Sequence, residues 1–189
     1  ERWRIAPQAN YYNGPLGIIG EFVLERQAVS LTTGGSPPAG GAGSNTFVVP
    51  NTNKKLNHNA WQIAVSYFLT GEDASFRGVK PKRDFNFGTA GWGAWEVVAR
   101  YSEINLDSDT FRDPSGTSNI GAYADLSASA QSAHSVTAGV NWYLNPNVKV
   151  AMNYSYTTFD GGAGIGTQPI NAAGSNVRDR EDESAFFTR

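Results

Sequence analysis

The chain has 189 residues, 40% hydrophobic, 17% charged and 12% aromatic, and it is rich in Gly (21) and Tyr (8), a mix that favours all-β structure. Its 15 basic and 17 acidic residues leave a net charge of −2, so no bulk attraction to nucleic acid is indicated, and any charge selectivity must come from local clustering. The absence of cysteine excludes a disulfide scaffold and thiolate metal sites.

No apolar run reaches the roughly 18 residues of a membrane helix, a pattern that membrane β-barrels share because their signal is spread over short alternating segments. The opening residues ERWRIAP show no charged start followed by an apolar core, so a signal peptide is expected to have been removed or to lie in upstream sequence. From Arg2 to Tyr12 the chain alternates, with Trp3, Ile5, Pro7, Ala9 and Tyr11 on one face and Arg2, Arg4, Gln8 and Asn10 on the other. Asn13-Gly14-Pro15 reads as a tight turn. The next strand sets Leu16, Ile18, Phe22, Leu24 and Ala28 against Glu21, Glu25 and Gln27. Residues 32–55, rich in Gly, Ser, Pro and Asn, read as a loop.

A third strand over Asn59 to Thr70 alternates Trp61, Ile63, Val65, Tyr67 and Leu69 with Ala60, Gln62, Ala64 and Ser66. A connector with four basic residues, Arg77, Lys80, Lys82 and Arg83, leads to a strand in which Trp95, Val97, Ala99 and Tyr101 oppose Glu96, Val98, Arg100 and Ser102. Residues 105–131 read as a second long polar loop. Two further strands are joined by the turn Asn145-Pro146-Asn147. The first sets Val136, Ala138, Val140, Trp142 and Leu144 against Ser135, Thr137, Gly139, Asn141 and Tyr143. The second sets Val148, Val150, Met152, Tyr154 and Tyr156 against Lys149, Ala151, Asn153, Ser155 and Thr157. A Gly-rich loop over 160–178 precedes a short last strand near Glu183 to Arg189, which brings the count to about seven strands.

Short turns at one end and long polar loops at the other suit an antiparallel transmembrane β-barrel with lipid outside and water inside. Aromatics near strand ends (Trp3, Tyr11, Tyr12, Trp92, Trp95, Tyr101, Trp142, Tyr143, Tyr154, Tyr156) point the same way, as girdles at the membrane interfaces. A soluble β-sandwich of binding or adhesin type would show the same alternation and stands as the alternative.

LTGEDASFRGVKPKRDF, then GTAGWGAWEVVARYSEINLD, SVTAGVNWYLNPNVKVAMNYSYTTF and REDESAFFTR resemble, in this order, the C-terminal half of the phosphate-selective porin O and P family, over most of residues 56–189. The resemblance implies a sixteen-stranded barrel in the bacterial outer membrane, usually a homotrimer, that passes anions by passive diffusion. It implies lipid bilayer, lipopolysaccharide and small permeant anions as partners, with no cofactor and no enzymatic chemistry. Residues 1–189 are then the C-terminal part of one barrel domain, with the upstream half and a few terminal residues outside this sequence. The family's arginine ladder and central anion site are not all identifiable, so phosphate, polyphosphate and non-selective permeation all stay open.

Arg77, Lys80, Lys82 and Arg83 are the candidate anion-selecting cluster: four cations near a narrow passage would concentrate anions. Arg2, Arg4, Glu21, Glu25, Glu96, Arg100 and Lys149 are expected on the lumen wall, where mixed signs favour pairing across strands. No catalytic or metal site is expected. His58 and His134 lie on separate segments, and Asp107, Asp109 and Asp113 miss the EF-hand spacing.

Overall fold

A computed structural model describes residues 1–31, 52–111, 123–165 and 177–189. Period-two alternation leaves each segment one apolar and one polar face, and antiparallel pairing brings like faces together. The result is a single antiparallel sheet of nine strands: β1 (Arg2–Ile5), β2 (Gln8–Asn13), β3 (Leu16–Leu31), β4 (Thr52–Phe68), β5 (Ala94–Asn105), β6 (Ala130–Asn145), β7 (Val148–Ile165), β8 (Val177–Asp179) and β9 (Glu183–Thr188). β1 and β2 both lie along β3, separated at Ala6–Pro7 where proline cannot donate to the ladder, and β8 and β9 both lie along β7. Nine segments therefore fill seven strand positions. Among the described residues the sheet is open, with β1–β2 at one edge and β8–β9 at the other.

Two hairpin turns have a clear local cause. Gly14 takes φ +53°, the left-handed conformation that a two-residue hairpin turn needs at its first central position. At the other turn the Asn145 side-chain carbonyl accepts from the backbone N–H groups of Asn147 and Val148, both at 2.9 Å, closing the chain around Pro146.

Several expected boundaries move. β4 begins at Thr52, inside the stretch expected to be loop, β6 begins at Ala130 and β7 runs to Ile165. Large apolar residues are scattered in these extensions (Leu56, Phe159, Ile165) rather than alternating, so the pattern that marks a strand in the sequence is missing although the ladder continues. Residues 32–51, within the first expected loop, and Asp113, within the second, lie outside the described residues. Tyr12 and Tyr143, expected among the girdle aromatics, instead sit on the polar face and pack against Phe68, Ala74 and Ala94.

The buried hydrophobic residues among those described are few: Leu56, Phe68, Ala74, Ala94, Phe111 and Ala151. Trp61, Ile63, Val65, Tyr67, Val97, Val136, Val150, Met152, Tyr154 and Tyr156 are exposed, all on one face. A soluble sandwich would cover that face with a second layer. None is present among the described residues, and every strand belongs to the one sheet.

Candidate pore lining

Cross-strand partners in the ladder mark out rows that run across each face of the sheet. On the apolar face one row reads Ile18, Val65, Ala99, Ala138, Tyr154, Phe186. Two residues away along each strand it reads Leu16, Tyr67, Val97, Val140, Met152. The band on this face spans about five alternate residues per strand, from Leu16 to Leu24 on β3 and from Val148 to Tyr156 on β7. Eight residue steps cover roughly 26 Å along a strand, or about 20 Å once the strand is tilted, close to the apolar height of an outer-membrane barrel. At the turn end Trp95 and Trp142 stack with ring centroids 5.1 Å apart. Trp142 Nε1 donates to the Trp92 carbonyl at 2.8 Å, so the aromatic edge is also tied to the backbone.

On the opposite face one row reads Gln8, Glu21, Gln62, Ser102, Ser135, Thr157, Glu183, and the next reads Asn10, Ile19, Ala64, Arg100, Thr137, Ser155, Ala185. These groups bond to one another. Gln62 Nε2 donates to Glu21 Oε2 at 2.8 Å, and Ser135, Thr137, Ser155 and Thr157 form a hydroxyl cluster with separations of 3.0–3.1 Å. Closer to the loop end, Val23, Ala60, Ile104 and Ala133 form an apolar row that floors a hollow of about 290 Å³.

All seven residues expected on the lumen wall project to this polar face, but their settings differ. Arg2 and Arg4 both engage Glu25, Arg2 through Nε at 2.7 Å and Arg4 through Nε at 3.0 Å. Glu96 is buried, accepting from Asn141 Nδ2 at 2.8 Å and from the Tyr143 hydroxyl at 2.9 Å. Lys149 lies over the Tyr143 ring, 5.4 Å from its centroid. Arg100 is exposed at mid-height beside the hydroxyl cluster and makes no ion pair among the described residues.

The connector between β4 and β5 laps over the rim at the turn end. Residues 74–79 cover the polar face beside Tyr12, Ser66, Phe68, Glu96 and Tyr143, and Ala74 N donates to the Gly14 carbonyl at 2.7 Å. Further along, Phe85 meets Trp142 edge-on at 4.9 Å on the apolar side, and its N–H donates to the Leu144 carbonyl at 2.7 Å. Lys80, Lys82 and Arg83 lie in the stretch that crosses between the two sides.

Glu72 anchors this crossing. It is buried, accepts from the Thr70 hydroxyl, and accepts from the Lys82 backbone N–H at 3.1 Å, while Lys82 Nζ donates to the Gly71 carbonyl at 2.6 Å. Burial pushes the Glu72 carboxyl up, but the Thr70 and Lys82 hydrogen bonds with the nearby Lys82 charge outweigh it and hold the group below its ordinary value of 4.5. Arg77, Lys80, Lys82 and Arg83 are all exposed, with Asp73 and Asp84 as the exposed acids of the same segment.

Sequence reading had not singled out Glu72, Thr70, Asn141 or the hydroxyl cluster. The cluster's signal was present in the polar parity of β6 and β7, whereas the Glu72 anchor depends on contacts across a turn that no periodicity marks. The two histidines serve the fold. His58 Nδ1 accepts from the Asp107 N–H at 3.2 Å, and His134 Nδ1 lies 3.2 Å from the Tyr101 hydroxyl. Asp107 caps the turn at Ser108–Thr110, and the described residues hold no group of three His, Asp or Glu arranged for a metal ion.

A single curtain of antiparallel strands, bare and apolar on one side and hydrogen-bonded and polar on the other, is the wall of a membrane β-barrel. The family model for phosphate-selective porin O and P matches residues 4–161, and the chain belongs to that family. It is similar to Porin O of Pseudomonas aeruginosa (strain PAO1), with 32% identity over 111 residues. That match covers 55% of this chain and 22% of the relative, so the chain spans well under half of that protein's length. Membership brings an outer-membrane location and a lineage of channels rather than enzymes.

Proposed function

We propose that residues 1–189 form the C-terminal part of one barrel domain that passes small anions by passive diffusion, with phosphate and polyphosphate as candidate solutes. In this reading the barrel is a homotrimer seated among lipopolysaccharide, and its solute specificity is shared with upstream strands. The observation that carries the proposal is the imbalance of accessible charge at the rim. Arg77, Lys80 and Arg83 are exposed and make no ion pair among the described residues, whereas the nearby carboxylates of Glu72 and Glu96 are buried and held by hydrogen bonds. Uncompensated cations at a pore mouth raise the local anion concentration and reject cations.

The test is to replace Lys80, Lys82 and Arg83 together by Gln in the full-length protein and measure reversal potentials in a planar bilayer under a salt gradient. The anion-to-cation permeability ratio should fall severalfold, and more so at low salt, where the Debye length exceeds about 10 Å. An unchanged ratio overturns the selecting role. A general, non-selective porin is the second reading, favoured by Glu21 on the lumen face and by the exposed Asp73 and Asp84. It predicts a ratio near unity before any substitution.

A further inference from the structure

At the loop end of the apolar face, the last apolar residues are Leu24 on β3, Trp61 on β4, Tyr101 on β5, Val136 on β6 and Tyr156 on β7. The next outward positions are Arg26, Asn59, Glu103, His134 and Thr158, which are polar on every strand. On β5 to β7 these groups satisfy one another. Glu103 accepts from the Tyr101 hydroxyl at 3.2 Å and from Asn105 Nδ2 at 2.6 Å, and His134 lies 3.6 Å from both Glu103 and Asp160.

The β3–β4 side differs. Arg26 Nε is buried and has no hydrogen-bond partner, and the guanidinium makes no ion pair among the described residues. Lys55 stands on the same face opposite Ala28, exposed and equally unpaired. Trp3 is the cross-strand partner of Arg26, and Trp3, Arg26, Ala28, Lys55 and Glu1 line one small outward hollow. Glu1 is the acid of that hollow and pairs with neither cation.

We propose that Arg26 and Lys55 form an outward-facing site for the phosphate group of a membrane lipid. This deepens the outer-membrane reading, on which it rests, by assigning a place for the lipid partner. The height of the site selects the ligand. Arg26 lies one outward step, about 7 Å along the strand, beyond the last oil-facing residue, where headgroup phosphates rather than acyl chains meet the barrel. The chemistry fits the height. A half-buried guanidinium without an ion pair is costly, and a phosphate seated in the hollow accepts charge-assisted bonds from its terminal N–H groups while Lys55 adds a point charge. A tryptophan beside such a pair is the usual occupant of the interface, with an apolar body and one donor. The source is a lipid and not the free anions in the pore, because the hollow opens on the face opposite the lumen.

The experiment uses full-length protein in mild detergent, as wild type, R26Q/K55Q and the charge-keeping R26K. Bis-phosphorylated lipid A and its dephosphorylated form are titrated in and counted on the protein by native mass spectrometry. Wild type should retain the phosphorylated lipid at least about fivefold better than R26Q/K55Q, the effect of losing charge-assisted contacts, with R26K between them. The dephosphorylated lipid should not distinguish the three. Heat-modifiable migration on gels checks folding; if R26Q/K55Q does not fold, K55Q alone takes its place. Equal retention by folded wild type and variant overturns the site, and displacement of the lipid by millimolar inorganic phosphate overturns the assignment to lipid. The permeability ratio in a planar bilayer should stay unchanged in all variants, so a failure here and a failure of the pore proposal give different results.

Discussion

At the loop end of the polar face Arg2 and Arg4 share the single carboxylate of Glu25, whereas at the turn end Arg77, Lys80 and Arg83 stand without an ion pair among the described residues. Of the acids near the turn end Asp73 and Asp84 are exposed, but Glu72 and Glu96 are buried and spend their hydrogen-bonding capacity on Thr70, Lys82, Asn141 and Tyr143. Counting charges along a pore therefore misjudges its field. What an ion meets depends on which carboxylates face a cation and which have been withdrawn from solvent.

The comparison holds only if both ends lie on a water-facing wall, and the largest expected effect tests that. Val65→Lys places a charge at the middle of the apolar band and should destabilise the full-length barrel in lipid by about 2–4 kcal/mol. Gln62→Lys, three residues away on the other face, should cost little because Glu21 is in place to pair with it. Urea unfolding in vesicles reads both, and equal costs would reverse or erase the assignment of faces.

Glu72→Gln comes next. Loss of a buried, hydrogen-bonded carboxylate should loosen the connector by about 1–3 kcal/mol. Trypsin would then cut after Lys82 and Arg83 faster in the variant than in wild type, and single-channel current would become noisier. Acid should mimic the substitution. Because the folded-state value lies below 4.5, the carboxylate's contribution is complete above about pH 4.5 and is lost as pH falls through that lower value. Noise that appears on raising the pH would contradict the anchor.

The smallest effects separate the two ends directly. Glu25→Gln releases Arg2 and Arg4 and should raise anion preference by about twofold at low salt, while R2Q/R4Q strands Glu25 and should lower it to a similar degree. Shifts in the same direction for both would show that the trio does not act as a compensated unit.

The alternation of β3 to β7 was legible because oil on one face and water on the other write a period of two into the residues. The same cause explains where reading stopped. Beyond Trp61 β4 gives way towards its start to the polar stretch TNKK, so Thr52 to Lys55 reads as loop although its ladder with β3 is unbroken. The parity of Arg2, Arg4, Glu25, Arg100 and Lys149 was available from the sequence. Their pairing was not, because it depends on register between strands separated by long insertions. The connector was visible as a basic stretch, but its path over the rim depends on Ala74 and Phe85 reaching two distant turns.

That path has a mechanical consequence. Through Ala74 to Gly14, Leu69 to Trp95 and Phe85 to Leu144, one excursion of the chain staples the β2–β3 turn, its own β4–β5 crossing and the β6–β7 turn into a continuous hem. Strands at that mouth are unable to splay one hairpin at a time. Over these strands the mouth is a braced collar.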